Sequence, residues 1–140
     1  MDFTIVGPAL ALGLSGIGSS IGCCIAGMAS HGVMSRVEEG HGKYIGLSAA
    51  PSSQVIYGFI LMLLMHRALQ AGSLTPLEGV GLGLSSGLGI MFSSIYQGKV
   101  VATAIQASAK QPEIFGKCCA SVGIIESFSL FIFVFSLLLL

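Results

Sequence analysis

Charge is what this chain has least of. Only 9% of its 140 residues are Asp, Glu, Lys or Arg, while 54% are hydrophobic. A soluble domain carries about 25% charged residues, so the chain reads as an integral membrane protein with little room for a separate solvated domain. Six basic and six acidic residues cancel to a net charge of zero, which leaves no electrostatic footprint for nucleic acid. The opening Met1-Asp2-Phe3 has no basic residue. It lacks the n-region of a cleaved signal peptide, and the first apolar segment is expected to stay in the mature chain. Cysteine occurs only as the neighbouring pairs Cys23-Cys24 and Cys118-Cys119. Adjacent cysteines lack the spacing of zinc or redox motifs, so they are expected as buried small apolar side chains.

What is present is apolar sequence in four blocks, residues 3–29, 44–69, 79–107 and 114–140. About 20 residues cross the hydrocarbon core, so each block predicts a transmembrane helix. The links between them carry most of the charge. The first and third hold Arg36, Lys43, Lys110 and Lys117, whereas the second holds only Arg67. Basic residues in short loops favour the cytoplasmic side. The first and third links are therefore expected in the cytoplasm, with both termini on the non-cytoplasmic side of the cell membrane.

Glycine is abundant, with 20 copies. It clusters in the first block (Gly13, Gly16, Gly18, Gly22, Gly27) and the third (Gly79, Gly81, Gly83, Gly87, Gly89). A helical glycine costs about 1 kcal/mol relative to alanine, an expense that close backbone approach between membrane helices offsets. The small-xxx-small spacings of Gly18 and Gly22, and of Gly79, Gly83 and Gly87, predict that helices one and three pack very tightly. Helices two and four are richer in Leu, Ile and Phe and suit an outer, lipid-facing layer. No strand precedes the glycines, so a phosphate-cradling loop is a poor reading.

The halves are related. A shift of 74 positions carries Ser19-Ser20-Ile21 onto Ser93-Ser94-Ile95, Arg36 onto Lys110, Glu39 onto Glu113 and Gly42-Lys43 onto Gly116-Lys117. One ungapped offset thus matches membrane and loop positions alike, the mark of internal duplication. An even number of crossings gives both units the same orientation, unlike the inverted repeats of many carriers. The expected fold is an all-α membrane protein of four transmembrane helices in two tandem, same-orientation helical hairpins. Residues 1–72 form the first hairpin, and residues 73–140 form the second, which carries Glu126. The offset places Ser52 at the position of Glu126, so one carboxylate serves four helices.

Glu126 is the residue that demands a function. A carboxylate at the centre of a membrane helix costs about 3 kcal/mol on insertion scales, and such a residue marks an ion or proton pathway by default. Helix two carries Ser53, Gln54 and Tyr57, spaced three and four apart and so sharing a face, and helix three carries Gln97. Pro51 lacks a backbone donor and crowds the carbonyl of Leu47, which predicts a kink and a free carbonyl at Ala50. Hard cations take oxygen ligands of these kinds. Glu126, Gln97, Gln54, Ser53 and the Ala50 carbonyl form a donor set suited to Na⁺. A proton needs only a desolvated carboxyl and an acceptor; two glutamines and a serine exceed that minimum and favour Na⁺. Gln and Ser also glue membrane helices without binding any ion, and that reading stands beside the first. His31, His41 and His66 read as solvated groups, and Glu38, Glu39 and Arg36 as a solvated face or a docking surface. Lys99 is expected to snorkel toward the cytoplasmic end of its helix.

These motifs, "GIGSSIG" at 16–22, "PSSQVIYGF" at 51–59, "IYQGKVVATAI" at 95–105, "KQPEIFGK" at 110–117 and "GIIESF" at 123–128, together carry a resemblance that spans the whole chain. The chain resembles the membrane rotor proteolipid of rotary ATPases, in particular the four-helix K (or c) subunit of V-type ATPases. The resemblance implies a homo-oligomeric ring in lipid, with glycine-rich helices inside and carboxylate helices outside. It implies that Glu126 carries the ion, Na⁺ or H⁺, coupled to ATP hydrolysis or synthesis elsewhere, with no chemistry in this chain itself. Gln97, Gln54, Ser53, Tyr57 and the Ala50 carbonyl match the positions that complete the site in sodium-translocating members. Those members usually have Thr where Ser53 stands and a larger apolar residue at Ala50. A stator subunit with an arginine and central-stalk subunits at the loops around Arg36–Lys43 and Lys110–Lys117 are the implied partners. A stand-alone ion-coupled transporter and a pore-forming protein are the competing classes. The same-orientation repeat argues against the first, and the Glu–Gln–Gln cluster is unexplained by the second.

Overall fold

The computed structural model describes residues 3–140; the Met1-Asp2 opening lies outside them. Five α-helices and two 3₁₀ turns make four spans. Helix α1 (Val6–Met34) is the first span. Helix α2 (His41–Ser48), the 3₁₀ turn Ala50–Ser52 and helix α3 (Ser53–Ala71) make the second. Helix α4 (Pro76–Lys110) is the third, and the 3₁₀ turn Pro112–Ile114 with helix α5 (Phe115–Leu137) forms the fourth. The helices extend further into the links than the hydropathy blocks implied. The 35 residues of α4 span about 52 Å, more than the hydrocarbon core of about 30 Å, so its ends reach beyond the membrane.

Local chemistry sets the turns. Gly72 closes α3 with φ 76°, a left-handed conformation that glycine adopts without a Cβ penalty. There the N–H of Ser73 donates to the Ala68 carbonyl (3.1 Å) and that of Gly72 to the Leu69 carbonyl (3.3 Å), the pattern of a Schellman cap. Three residues after Gly72, Thr75 opens α4. Its N–H donates to Glu78 Oε2 (2.9 Å), and the Glu78 N–H donates to Thr75 Oγ1 (3.4 Å). This is a capping box with Pro76 in the first turn, where a missing N–H costs nothing. The second link is thereby a tight reversal.

Helices α1 and α4 run parallel, in nearly the register of the repeat. A Cβ on Gly7 would strike the carbonyl of Gly79, one on Gly83 the carbonyl of Gly7, and one on Gly98 the backbone of Gly22. Gly18 lies against the backbone of Met91, and Gly22 against the Ser94 carbonyl. Tight packing is therefore as expected at Gly18, Gly22, Gly83 and Gly87, and Gly7 and Gly98 join it. Gly13, Gly27 and Gly81 depart from expectation: nothing lies within 4 Å of a Cβ there, because these positions face away from the partner helix. Gly58 brings α3 onto α1 against Ser15 and Ala11.

Two apolar clusters bracket the molecule. One, at the end of the first and third links, gathers Ala26, Val33, Tyr44, Val101, Ala104, Ile105 and Val122. The other gathers Ala11, Leu61, Met65 and Leu82. Between them lies a buried polar layer of Ser15, Ser19, Gln54, Ser94 and Gln97. Helix α5 is the outermost, with Ile124, Phe128, Phe131 and Phe135 exposed, as its bulk implied. The cysteines differ from expectation: none is buried, and Cys24 is exposed. Cys23, Cys118 and Cys119 are half-buried, and Cys118 packs against the cluster of Ala26, Val33 and Tyr44. Lys99 also differs. Its Nζ lies 4.9 Å from the Tyr96 ring centroid, back toward the start of α4, because helical side chains lean toward the N-terminus.

Candidate ion-binding site

The second span is broken where Pro51 stands. The N–H of Ala49 donates to the Gly46 carbonyl (3.2 Å) and that of Ser52 to the Ala49 carbonyl (3.0 Å), so the helix tightens into a 3₁₀ turn before α3 begins. The break is anchored from the side: Ser94 Oγ on α4 donates to the Pro51 carbonyl (3.1 Å). One consequence departs from expectation. The Ala50 carbonyl is not free, since it accepts from the Ser53 N–H and lies 3.0 Å from Ser53 Oγ. The tightened turn folds Ser53 back over it.

Glu126 sits in the middle of α5, half-buried, with its carboxylate turned toward α3 and α4. Ser53 Oγ donates to Glu126 Oε1 at 2.6 Å, and Tyr57 OH donates to the same oxygen at 3.3 Å. Gln97 Nε2 reaches Oε2 at 3.4 Å and the Val122 carbonyl at 3.3 Å. Gln54 stands one step behind, its Nε2 donating to Gln97 Oε1 at 2.8 Å. Both glutamines are fully buried. The ring of Tyr57 stacks on Phe133, centroids 5.7 Å apart, which holds its hydroxyl at the carboxylate.

Gln54 Oε1 is buried with no hydrogen-bond partner among the described residues. A buried unsatisfied carbonyl costs about 1–3 kcal/mol, and native structures leave few such groups unexplained. The niche thus presents carboxylate and hydroxyl oxygens, with the Gln97 amide nitrogen turned to the carboxylate and the Gln54 amide behind it.

Ser127, which follows the carboxylate, is not brought in; its hydroxyl turns back to the Ile124 carbonyl (2.7 Å). Three serines that sequence reasoning passed over support the niche. Ser93 Oγ donates to the Ile125 carbonyl (3.1 Å), Ser129 Oγ to the Glu126 carbonyl (2.8 Å), and Ser94 holds the Pro51 carbonyl. Ser93 and Ser94 lie four and three residues before Gln97, on its face of the helix, and that spacing was the available signal.

Four apolar spans paired as two like-oriented hairpins, with one carboxylate in a polar niche between them, define a multi-pass membrane protein with an intramembrane site. The particular family follows from comparison with known proteins. Residues 6–65 and residues 80–139 each match the family of the ATP synthase C subunit, and the chain belongs to that family. It is 33% identical to the V-type sodium ATPase subunit K of Enterococcus hirae, an alignment covering 99% of this chain and 90% of that protein. It is 31% identical to the A-type ATP synthase subunit K of Methanocaldococcus jannaschii, over 96% of this chain and 60% of the relative. The family resemblance carried by the sequence motifs is borne out, and the double match accords with the internal repeat.

Proposed function

We propose that the chain is a rotor-ring subunit of a V/A-type ATPase and carries Na⁺ on Glu126. The observation that carries this reading is the niche itself: Ser53, Tyr57 and Gln97 converge on the carboxylate, and the buried Gln54 Oε1 beside them lacks a donor. Carboxylate, hydroxyl and amide oxygens, all of which these residues carry, are the ligand types a hard cation takes. The cation is the cargo; Glu126, Gln97, Gln54 and Ser53 would hold it, with the Ala50 carbonyl close by. Its charge would neutralise Glu126, and Tyr57 would steady the ionised oxygen. The sodium ATPase relative supports the choice of ion.

The mechanism follows from the cost of charge in lipid. A bare carboxylate facing hydrocarbon costs several kcal/mol, whereas a neutralised one does not. Loading therefore permits a lipid-facing passage on a rotating ring, and release requires a cation supplied by a stator, an arginine by analogy with the family. Moving one charge through 100 mV is worth about 2.3 kcal/mol, which rotation couples to ATP hydrolysis or synthesis in other subunits. The first and third links would lie in the cytoplasm against a central stalk.

Carbodiimide labelling tests the site and the ion together. Glu126 is expected to label in the purified protein, and millimolar NaCl at constant pH is expected to prevent it. Protection by high pH but not by NaCl would replace Na⁺ with a proton. Glu126→Gln is expected to abolish transport, and retained transport would end the reading.

A further inference from the structure

The Ser-Ser-Ile triplet occurs in both halves, at 19–21 and 93–95, and the proposed ligand set uses neither copy. In α4 the two serines act in opposite directions. Ser93 Oγ donates to the Ile125 carbonyl on α5, and Ser94 Oγ donates to the Pro51 carbonyl in the broken span, each at 3.1 Å. Pro51 and Ile125 are themselves equivalents in the repeat, 74 residues apart. Adjacent side chains on one helix thus hold matching carbonyls on two different spans. The held carbonyls flank the site: Ile125 immediately precedes Glu126, and Pro51 stands two residues before Ser53. The second bond is backed from α1. Ser94 is fully buried, Ser19 Oγ lies 3.5 Å from its hydroxyl, and Gly22 abuts both Ser94 and Pro51. In α1 the equivalent Ser20 is exposed and turns its hydroxyl back to the Ile17 carbonyl (2.9 Å).

We propose that Ser93 and Ser94 are positioning residues for the ion, a two-serine clasp that fixes the spacing between the Glu126 carboxylate and the Ser53 hydroxyl and so the size of cation the niche accepts. This role presupposes that Glu126 is the ion-binding carboxylate proposed above. The two ligands come from different spans and lie 73 residues apart in the chain. Their own rotamers cannot hold that spacing; the backbones that carry them must be pinned as well. A hydrogen bond to a carbonyl one or two residues away pins each backbone without touching the ion. Outer-shell partners of this kind orient the groups that ligate a metal. Li⁺ is the sensitive probe, because a niche that widens loses contact with the smaller ion first.

Carbodiimide labelling of Glu126 in the intact purified protein reads this directly, as the NaCl and the LiCl concentrations that give half-protection. Ser93→Ala and Ser94→Ala are each expected to raise the NaCl requirement about fivefold, the equivalent of one ordinary hydrogen bond, and to raise the LiCl requirement more. Ser93→Thr keeps a hydroxyl and should stay near the parent. Ser93 is only half-buried, so its alanine variant carries the test even where Ser94→Ala fails to fold. Ser86→Ala is the control. It removes a buried α4 hydroxyl that bonds within its own helix, to the Leu82 carbonyl (2.6 Å), and should leave both curves unchanged. Alanine variants that lose thermal stability yet keep the parent's NaCl requirement and its LiCl-to-NaCl ratio would overturn the proposal, since a purely structural serine gives that result. A ratio moved equally by Ser86→Ala would do the same. If NaCl fails to protect the parent, the sodium reading falls by itself. The clasp is then read in the pH of half-labelling: a shift in the two alanine variants but not in Ser86→Ala supports it, and an unmoved pH ends it.

Discussion

Glu126 on α5 receives hydrogen bonds from residues on two other helices, the shortest 2.6 Å from Ser53. Ser53 is thus both a partner of the carboxylate and a candidate ion ligand. Ser53→Ala removes the oxygen, and Ser53→Thr keeps it. We expect the alanine variant to need about tenfold more NaCl to protect Glu126 from carbodiimide, equivalent to about 1.4 kcal/mol, and the threonine variant to match the parent. Equal protection curves for alanine and parent would remove Ser53 from the ion's ligands.

Among the elements, the α1–α4 contact leaves least room for change. A side chain at Gly22 would meet both the Ser94 carbonyl and, at 2.8 Å, Pro51 Cβ. Gly22→Val therefore wedges apart two parallel helices at the level where Ser94 anchors the broken span. We expect destabilisation of about 1–3 kcal/mol, the usual cost of overpacking, read as a lower unfolding temperature in detergent. Gly116, with open space around it in α5, is the contrast: Gly116→Ala should be neutral or slightly stabilising, because alanine is the better helix former. A variant at Gly22 as stable as the one at Gly116 would contradict the close approach.

Over the whole molecule, the repeat produces a unit whose two hairpins lie side by side in one orientation. Such a unit presents different surfaces on its two flanks, and head-to-tail contact between different surfaces closes into rings when the rotation permits. A large detergent-stable ring is expected from native mass spectrometry of the purified protein. A stable dimer would instead favour the stand-alone transporter. On the proposed function, one carboxylate per four helices would set the ions moved per turn at one for each chain in that ring.

By itself the sequence determined the four spans, the parallel duplication and the residues around Glu126; the turn signals of Gly72, Thr75 and Pro76 were there to read but passed over. Each of these is local pattern: apolar length, offset identity, turn chemistry and helical spacing. The tertiary structure decided the rest. Helix ends moved outward, because they depend on solvation beyond the apolar block. Gly7, Gly58 and Gly98 joined the contacts while Gly13, Gly27 and Gly81 faced away, since the rotation of a helix about its axis is set by its neighbours. The Ala50 carbonyl was taken by Ser53 within the tightened turn, whereas Gln54 was paired through its nitrogen alone, because a partner 43 residues away in the chain meets it only once the helices pack. Spacing names the groups that can share a face; packing alone chooses which atom meets which.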